Sequence, residues 1–463
     1  MDLLKTILKY IVTFIVLIII FFGSLTITSL IPSRMLKKNV IKTSEIYGEE
    51  GEKKIVKVFG KEETIFIFTD ALMVNTAYSI DSEHPIESFL LARKNYIPGQ
   101  TQNIHEDSQY NLGASAKYKD ANENVFQAAE LYGLMHEENI IDSYEYARYW
   151  HGYLIFLRPL LSIMSINGIR ALNFIIICAC IVALFFLLRK KCGFRAAILF
   201  LLPLVMIDVF ILSLGLSDVY DMIIAMLASI VLLELIDVRE DAGVMFFIFG
   251  CITSFIDLFT IPVVTLCLPL TVFFLVKHRK FGIYEEKDLK QKLISEFGSF
   301  IVLCYSWGLG YVLTWGAKWI LAEALTDRKI ISSALEQVKY RAGSEKISYG
   351  LVLSRNFKFL GFMPFFLLIL SILGDFGFRF YKRKDKKELI QEFKQNMKER
   401  IINIVPFILI SLIPFIWLFV IKQHSAIHSF FVNRILITFL LGIMMIVYEL
   451  FSTKPIAEKG KMD

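Results

Sequence analysis

Residues 11–31 read I-V-T-F-I-V-L-I-I-I-F-F-G-S-L-T-I-T-S-L-I, and no side chain in this run is charged. A helix needs about 20 mostly apolar residues to cross a bilayer, because every backbone polar group must be satisfied within the segment. Lys5 and Lys9 precede the run, and no small-residue cleavage site of the A-x-A type follows it. The stretch therefore predicts an uncleaved first membrane span rather than a signal peptide.

Composition extends this interpretation to the whole chain. Hydrophobic residues make up 56% of the 463 positions, and the mean hydropathy is +0.57, which exceeds what the core of a soluble protein requires. Nine further apolar stretches are candidate spans: 171–188, 196–214, 222–236, 244–256, 261–276, 300–321, 360–373, 402–420 and 435–450. The sequence thus predicts a mainly α-helical, polytopic membrane protein with about ten transmembrane helices.

Orientation follows from the distribution of lysine and arginine among the short loops. The basic runs at 189–191, 277–280 and 379–400 fall on one side if the predicted spans alternate. That side is expected to be cytoplasmic, with both termini inside. These loops account for the net charge of +6, so the basic character needs no nucleic-acid partner.

The predicted organisation is asymmetric. It comprises a first span (1–32), an extracytoplasmic segment (33–155), a multi-span domain (156–452) and a cytoplasmic tail (453–463). In the outer segment, patterning predicts a helix over 33–51, strands at 54–60 and 64–69, a polar surface loop over 96–124, and helices along the bilayer surface at 125–135 and 143–164. Thr69 is expected to cap a helix whose first turn holds Asp70.

Two basic residues stand out in Y-W-H-G-Y-L-I-F-L-R-P-L-L, residues 149–161. His151 and Arg158 are seven positions apart, which would put them on one face of a helix. Arg158 lies in an otherwise apolar run, so its charge must either snorkel to the interface or meet an anion.

Ionisable residues also mark the short outer loops and one span. Asp257 stands between two spans, and Lys318 lies within the apolar helix of W-G-A-K-W near its outer end. An ionisable group at such depth is a candidate functional residue. Asp218 and Asp221 open a helix, where helix capping is the simpler explanation.

The stretch K-Q-H-S-A-I-H-S-F-F-V-N-R, residues 422–434, brings His424 and His428 to helical i, i+4 spacing. Such a pair occurs in some zinc sites, but no third ligand and no cysteine accompany it here. With Arg434 nearby and no acidic residue in the stretch, the pattern favours an anion such as phosphate or pyrophosphate. Arg341 is a further cation on the same predicted side.

The architecture, with its long first outer segment, resembles the GT-C glycosyltransferases, and so do five motifs. They are F-T-D-A-L-M-V-N (68–75), Y-W-H-G-Y-L-I-F-L-R-P-L-L (149–161), S-F-I-D-L-F-T-I-P (254–262), W-G-A-K-W (315–319) and H-S-A-I-H-S-F-F-V-N-R (424–434). Members of that superfamily use an essential acidic residue after the first span, and Asp70 matches it. Asp70 follows the span by about forty residues, later than is usual, and the outer segment shows no clear D-x-D or E-x-D motif.

The resemblance implies an inverting membrane glycosyltransferase that transfers a sugar from a polyprenyl-phosphate donor to a glycan or glycolipid acceptor on the outer face of the cell membrane. Asp70 would be the general base. Substrate binding would fall to His151, Arg158, Asp257, Lys318, His424, His428 and Arg434. No metal ligand and no cofactor is assigned, and a divalent metal stays an open alternative.

Two alternatives belong to other functional classes. A flippase or transporter for a lipid-linked saccharide or another anion would also need buried arginines, but it should show an internal repeat and a polar path at the bilayer midplane. Neither is evident here. A polysaccharide polymerase or ligase normally places its large outer loop late in the chain, whereas here it comes first.

Overall fold

The computed structural model describes residues 2–51, 53–58, 61–96, 127–136, 142–235, 242–281, 289–343, 347–382 and 397–451. The described chain is mainly helical, with two small antiparallel sheets in the segment that follows the first helix. Most of the predicted surface loop 96–124 and the whole of the tail 453–463 lie outside the described residues.

The first part of the chain combines helices with two strand pairs. Its elements are α1 (Asp2–Ser29), α2 (Ser33–Glu50), β1 (Lys53–Val58), β2 (Lys61–Phe66), α3 (Ile67–Ser79), α4 (Pro85–Leu91), β3 (Lys94–Tyr96), α5 (Gln127–His136), β4 (Asp142–Tyr144) and α6 (Leu154–Ile163). Strand β1 pairs with β2, and β3 pairs with β4.

The second part is helical throughout its described residues. It contains α7 (Ile166–Cys192), α8 (Phe194–Met206), a 3₁₀ turn (Val209–Leu214), α9 (Val219–Leu235), α10 (Ala242–Ile256), α11 (Val263–Phe281), α12 (Leu289–Leu325), α13 (Ile330–Ala342), α14 (Tyr349–Leu360), α15 (Met363–Lys382), α16 (Met397–Val420), α17 (Lys422–Ile427), α18 (Ser429–Val432), a second 3₁₀ turn (Asn433–Leu436) and α19 (Ile437–Leu450).

Among the described residues, five helical stretches are long and apolar enough to cross a membrane, which supports an integral membrane protein. They are Leu4–Ser29, Ile166–Cys192, Leu289–Leu325, Met397–Val420 and Ser429–Leu450. A sixth arises if α14 and α15, which meet at a bend of 72°, form one broken span. The expected count of about ten is therefore not confirmed, although each remaining predicted span coincides with shorter helices. The stretch 196–214, for example, divides near Asp208, whose φ is +56°.

Residues 33–155 confirm several predictions and correct others. The helix over 33–51, two strands near 54–60 and 64–69 and a helix matching 125–135 are present, although the second strand ends at Phe66. Helix α3 begins at Ile67, so Thr69 lies inside it and is not its cap. The predicted helix over 143–164 is wrong before Leu154, because the chain forms a strand and turns there and His151 adopts a φ of +56°. His151 therefore does not share a helical face with Arg158.

The ends of the helices that carry the basic loops meet at one end of the molecule. Arg195 pairs with Asp375 and donates to the carbonyl of Tyr448. The Tyr448 hydroxyl accepts from Arg279 and donates to the carbonyl of Cys192 at 3.2 Å. Arg400 donates to the carbonyl of Leu450. The basic residues near 189–195, 277–280 and 400 thus share one end, as the charge pattern predicts.

Close helix packing holds the centre of the bundle together. A Cβ atom added at Gly250 of α10 would lie 2.0 Å from the carbonyl oxygen of Trp307, and one added at Gly310 of α12 would lie 2.2 Å from that of Phe247. Small residues let two helix backbones approach in this way, a common arrangement in membrane proteins. Helices α10 and α12 are therefore fixed relative to each other, and their ends carry loops of the candidate site.

Candidate functional site

Polar side chains from widely separated segments form two neighbouring clefts at one end of the helices. The first, here the arginine cleft, includes Arg148, Arg341, His424 and His428 and contains about 540 Å³ of space not filled by protein atoms, partly open to solvent. The second, here the ion-pair cleft, includes Asp218 and Arg434 and contains about 330 Å³ on the same basis. Both clefts are lined by Phe430 and Phe431, so these two rings form a shared wall.

Aromatic rings hold the two arginines of the arginine cleft in place. The guanidinium carbon of Arg148 lies 4.4 Å from the ring centre of Tyr146 and 5.5 Å from that of Tyr149. The guanidinium of Arg341, from the last turn of α13, lies 5.5 Å from the same Tyr149 ring and 4.9 Å from Phe259. Cation–π contact orients a guanidinium without neutralising it. Two positive groups thus flank one ring.

The arginine cleft has an uncompensated positive charge. None of the described residues that line it is an aspartate or a glutamate. Nε of Arg148 and both Nε and Nη1 of Arg341 are buried and find no hydrogen-bond partner among the described residues. Buried N–H groups are normally satisfied, since leaving one unpaired costs about 1–3 kcal/mol or more when it is charged. The arrangement is therefore suited to an anion with several acceptor oxygens.

Burial disfavours the charged forms of His424 and His428, contrary to the expectation that they act as cations. Their ring centres are 4.5 Å apart, so the predicted i, i+4 neighbourhood is confirmed. Burial, followed by the charge of Arg341, lowers the pKa of His424 well below its usual value, and burial lowers the pKa of His428 to about 3. Nε2 of His424 donates to the carbonyl of Phe259 at 2.9 Å. Its Nδ1 is then a buried acceptor that lacks a partner among the described residues.

The ion-pair cleft carries balanced charge. Arg434 donates through Nη1 to Oδ2 of Asp218, joining the 3₁₀ turn before α19 to the loop before α9. Asp218 is 2% exposed and Arg434 is the more accessible member of the pair. Oδ1 of Asp218 has no hydrogen-bond partner among the described residues. Burial raises the pKa of Asp218 even though Arg434 opposes the shift.

Asp70 lies behind the ion-pair cleft and is not part of its lining. Its Oδ1 accepts a hydrogen bond from the backbone N–H of Leu216 at 2.8 Å, and its Oδ2 approaches Gly215, where an added Cβ would lie 3.6 Å away. The residue is completely buried. Burial raises its pKa to about 7, against opposing contributions from the Leu216 hydrogen bond and Arg170. The carboxyl therefore holds the loop that leads to Asp218.

Asp257 also supports a turn and is not part of the lining of either cleft. Its Oδ1 accepts from the backbone N–H of Thr260 at 2.7 Å, and its Oδ2 accepts from the Tyr311 hydroxyl at 3.1 Å. The hydroxyl of Thr260 lies 2.8 Å from Oδ2 of Asp221. Since Thr260 lines the arginine cleft, Asp257 contributes to the site through that turn.

Three predicted binding residues contact the protein itself. Arg158 donates to the carbonyls of Thr28, Ala77 and Ile31, and Nζ of Lys318 donates to those of Leu90, at 2.7 Å, and Phe89. Nε2 of His151 donates to the carbonyl of Tyr146 at 2.8 Å, and burial lowers the His151 pKa to about 3. None of the three lines either cleft, so Arg158 and Arg434 do not meet in one cavity.

Arg148 is the residue that sequence reasoning missed. It stands in Y-E-Y-A-R-Y-W, residues 144–150, inside the stretch 143–164 that the pattern predicts to be a helix along the bilayer surface. An arginine spaced among aromatic residues is also what a cation–π site requires, and that signal could have identified it.

The described residues contain no group of three or more histidine, cysteine, aspartate or glutamate side chains arranged to hold a metal ion. Comparison of the chain with protein-family models, with curated proteins and with solved structures finds no match.

Proposed function

We propose that this chain is an integral membrane glycosyltransferase of the GT-C kind, which transfers a sugar from a polyprenyl-phosphate donor to a glycan or glycolipid acceptor. The observation that carries the proposal is the arginine cleft, in which Arg148 and Arg341 present buried, unpartnered N–H groups and no described carboxylate opposes them.

A phosphate matches this cleft in charge and in geometry. Planar guanidinium groups bind phosphate oxygens through two N–H groups at once. Because the clefts lie where helices end, a phosphate bound there could keep its lipid chain alongside the apolar helices. The five long apolar helices support the membrane setting that such a donor requires.

Direct displacement at the anomeric carbon accounts for the roles that the site offers. The acceptor oxygen forms the new bond to that carbon while the bond to the phosphate oxygen breaks, and polyprenyl phosphate leaves as an anion held by Arg148 and Arg341. The acceptor proton passes to a carboxylate, which contributes on the order of 10² to 10⁴ in rate. The sequence nominates Asp70 as this base, and of the carboxyls of Asp70 and Asp218, that of Asp218 is the one that lines a cleft.

The proposed orientation follows the positive-inside rule. The end that carries Arg195, Arg279 and Arg400 would face the cytoplasm, together with both termini. The two clefts would then face the outside of the cell membrane, where the acceptor is located.

Binding of anions to the purified full-length chain tests the proposal. Calorimetric titration with inorganic pyrophosphate and with farnesyl phosphate should show binding that Arg341→Gln weakens at least tenfold. Arg189→Gln is the matched control, because Arg189 is an exposed arginine in a basic run at the other end of the molecule. Equal affinities in wild type and Arg341→Gln would refute the phosphate site.

Transfer itself is tested in reconstituted vesicles supplied with radiolabelled polyprenyl-phosphate hexoses and a cell-envelope extract. The proposal requires label to enter the acceptor fraction as polyprenyl phosphate is released. Movement of intact donor across the bilayer without cleavage would support a flippase instead.

A further inference from the structure

The ion-pair cleft differs from the arginine cleft in the charge that it offers. Asp218 and Arg434 neutralise each other, whereas Arg148 and Arg341 have no counter-ion among the residues lining their cleft. An ionic ligand would gain little from a compensated pair and would have to compete with it. The ion-pair cleft is therefore suited to a neutral ligand.

The same pair can donate and accept hydrogen bonds at one place. Oδ1 of Asp218 is an acceptor without a partner among the described residues, and the guanidinium of Arg434 carries several N–H donors of which one contacts Asp218. Adjacent hydroxyl groups, each both donor and acceptor, match this combination. Ser217 adds a further polar residue to the lining.

Apolar faces border these polar groups. The rings of Phe66 and Phe430 lie with centres 4.1 Å apart, and Phe431, Ile65, Ile211 and Leu212 also contribute apolar lining. A pyranose presents hydroxyl groups at its edge and C–H groups on its faces, so it can satisfy both kinds of surface.

We propose that the ion-pair cleft binds a neutral saccharide, the hydroxyl-bearing acceptor of the transfer, and that Asp218 accepts the hydroxyl proton. The saccharide assignment stands on the cleft alone, while the proton transfer rests on the proposed function. In that step the acceptor O–H bond breaks and the proton goes to Oδ1 of Asp218. The acceptor oxygen bonds to the anomeric carbon of the donor as the bond from that carbon to the phosphate oxygen breaks, and polyprenyl phosphate leaves as an anion held by Arg148 and Arg341.

The geometry gives Asp70 a different part in the same reaction. Its carboxyl does not line the cleft, but it accepts the Leu216 N–H two residues before Asp218. It is a positioning residue, which fixes the loop that carries the base. The shared wall of Phe430 and Phe431 puts the acceptor next to the phosphate of the donor.

Saccharide binding is the first test. The full-length chain in detergent is screened by saturation-transfer NMR against glucose, galactose, mannose, N-acetylglucosamine, N-acetylgalactosamine and their β-linked disaccharides. At least one should bind, and Asp218→Ala and Arg434→Gln should each weaken it about tenfold to a hundredfold. Arg189→Gln, the exposed control at the other end of the molecule, should leave it unchanged. The proposal is overturned if no saccharide of the panel binds. It is also overturned if a saccharide binds with the same affinity to wild type, Asp218→Ala and Arg434→Gln.

Conservative variants test the proton transfer without disturbing the fold. Asp218→Asn keeps a hydrogen-bond acceptor, so it should retain saccharide and pyrophosphate binding within about threefold and lose transfer by about 10² to 10⁴. Asp70→Asn keeps an acceptor for the Leu216 N–H, so the rate of sugar transfer should fall less than tenfold. The reverse ranking would make Asp70 the base and overturn the assignment of Asp218. Pyrophosphate binding that ignores Arg341→Gln would instead defeat the proposed function and leave the saccharide result standing.

Discussion

Oδ1 of Asp70 accepts the backbone N–H of Leu216 at 2.8 Å, a contact between residues 146 positions apart in the sequence. It attaches the start of α3 to the loop before α9. The carboxyl that the family resemblance nominates as a base is thus engaged with the backbone, and its protonation state bears on stability.

The first prediction concerns that protonation state. The folded pKa of Asp70 is about 7, above its usual value of 3.8, so the folded protein keeps a proton that the unfolded chain has released. The contribution of Asp70 to the free energy of unfolding is then greatest below pH 4. It falls as the pH rises towards 7, by on the order of 4 kcal/mol at most. Asparagine does not titrate, so the Asp70→Asn variant lacks this decrease. The free energy of unfolding of the variant minus that of wild type should therefore increase between pH 4 and pH 7.

Thermal unfolding in detergent at pH 4.5, 6 and 7.5 measures this difference. A constant difference between Asp70→Asn and wild type across the range would contradict the raised pKa.

A second prediction follows from the unneutralised arginine cleft. Replacing Arg341 with methionine removes one of two like charges, and replacing buried charges with apolar residues is often neutral or stabilising. Without an anion, the variant should unfold at the same temperature as wild type or a few degrees higher. At about 100 times the dissociation constant, pyrophosphate should stabilise wild type by about 2.7 kcal/mol and should not stabilise the variant. A destabilised variant that still responds to pyrophosphate would show that Arg341 is structural.

Arg158 gives the opposite prediction. Its guanidinium bonds to the carbonyls of Thr28, Ile31 and Ala77, and each buried carbonyl left unsatisfied costs about 1–3 kcal/mol. Arg158→Met should therefore lower the unfolding temperature and the yield of folded protein strongly, while the folded fraction binds pyrophosphate with wild-type affinity. Arg328→Met, at a more exposed arginine, is the control. Normal stability with lost pyrophosphate binding would restore Arg158 to the phosphate site.

The contact between α10 and α12 offers a test of the packing. Gly250→Ala would place a Cβ atom 2.0 Å from the Trp307 carbonyl oxygen, and such overpacking typically costs about 1–3 kcal/mol. Gly308→Ala in α12 is matched to it, because nothing lies within 4 Å of the added atom, and it should be neutral or gain up to about 1 kcal/mol of helix propensity. Equal unfolding temperatures for the two variants would argue against the close approach.

The last prediction concerns orientation. In a variant without the six native cysteines, a cysteine replacing the exposed Glu83 should react in intact cells with a membrane-impermeant maleimide. A cysteine replacing the exposed Lys190 should react only after the cells are opened. The reverse pattern would place both clefts on the cytoplasmic side and would reject an outward-facing site.

Sequence patterning predicted the local structure well where it depends on neighbouring residues. The β1–β2 hairpin, helix α2, the adjacency of His424 and His428 and the first-turn position of Asp70 all follow from short-range spacing. The exception is His151, where the chain turns because Gly152 packs against Phe255, and its N–H donates to the Phe255 carbonyl at 2.8 Å. That contact spans about a hundred residues and leaves no mark on local periodicity.

Which residues line the candidate site depends on such distant contacts, and this was harder to predict from the sequence. In the sequence, Arg158 and Lys318 cannot be distinguished from ligand-binding cations, because each is a lone charge in an apolar run. Their partners are backbone carbonyls 81 to 229 residues away. A sequence does not show where a carbonyl without a partner will lie, whereas the tertiary structure does.

The shared wall of the two clefts also bears on biosynthesis. Phe430 and Phe431 line the two clefts together with Ile65 and Phe68, which leave the ribosome hundreds of residues earlier. During synthesis the early segments are therefore made long before the rings that complete both clefts. A polypeptide released before residue 421 would contain Asp70, Arg148, Asp218 and Arg341 without the wall that the two clefts share.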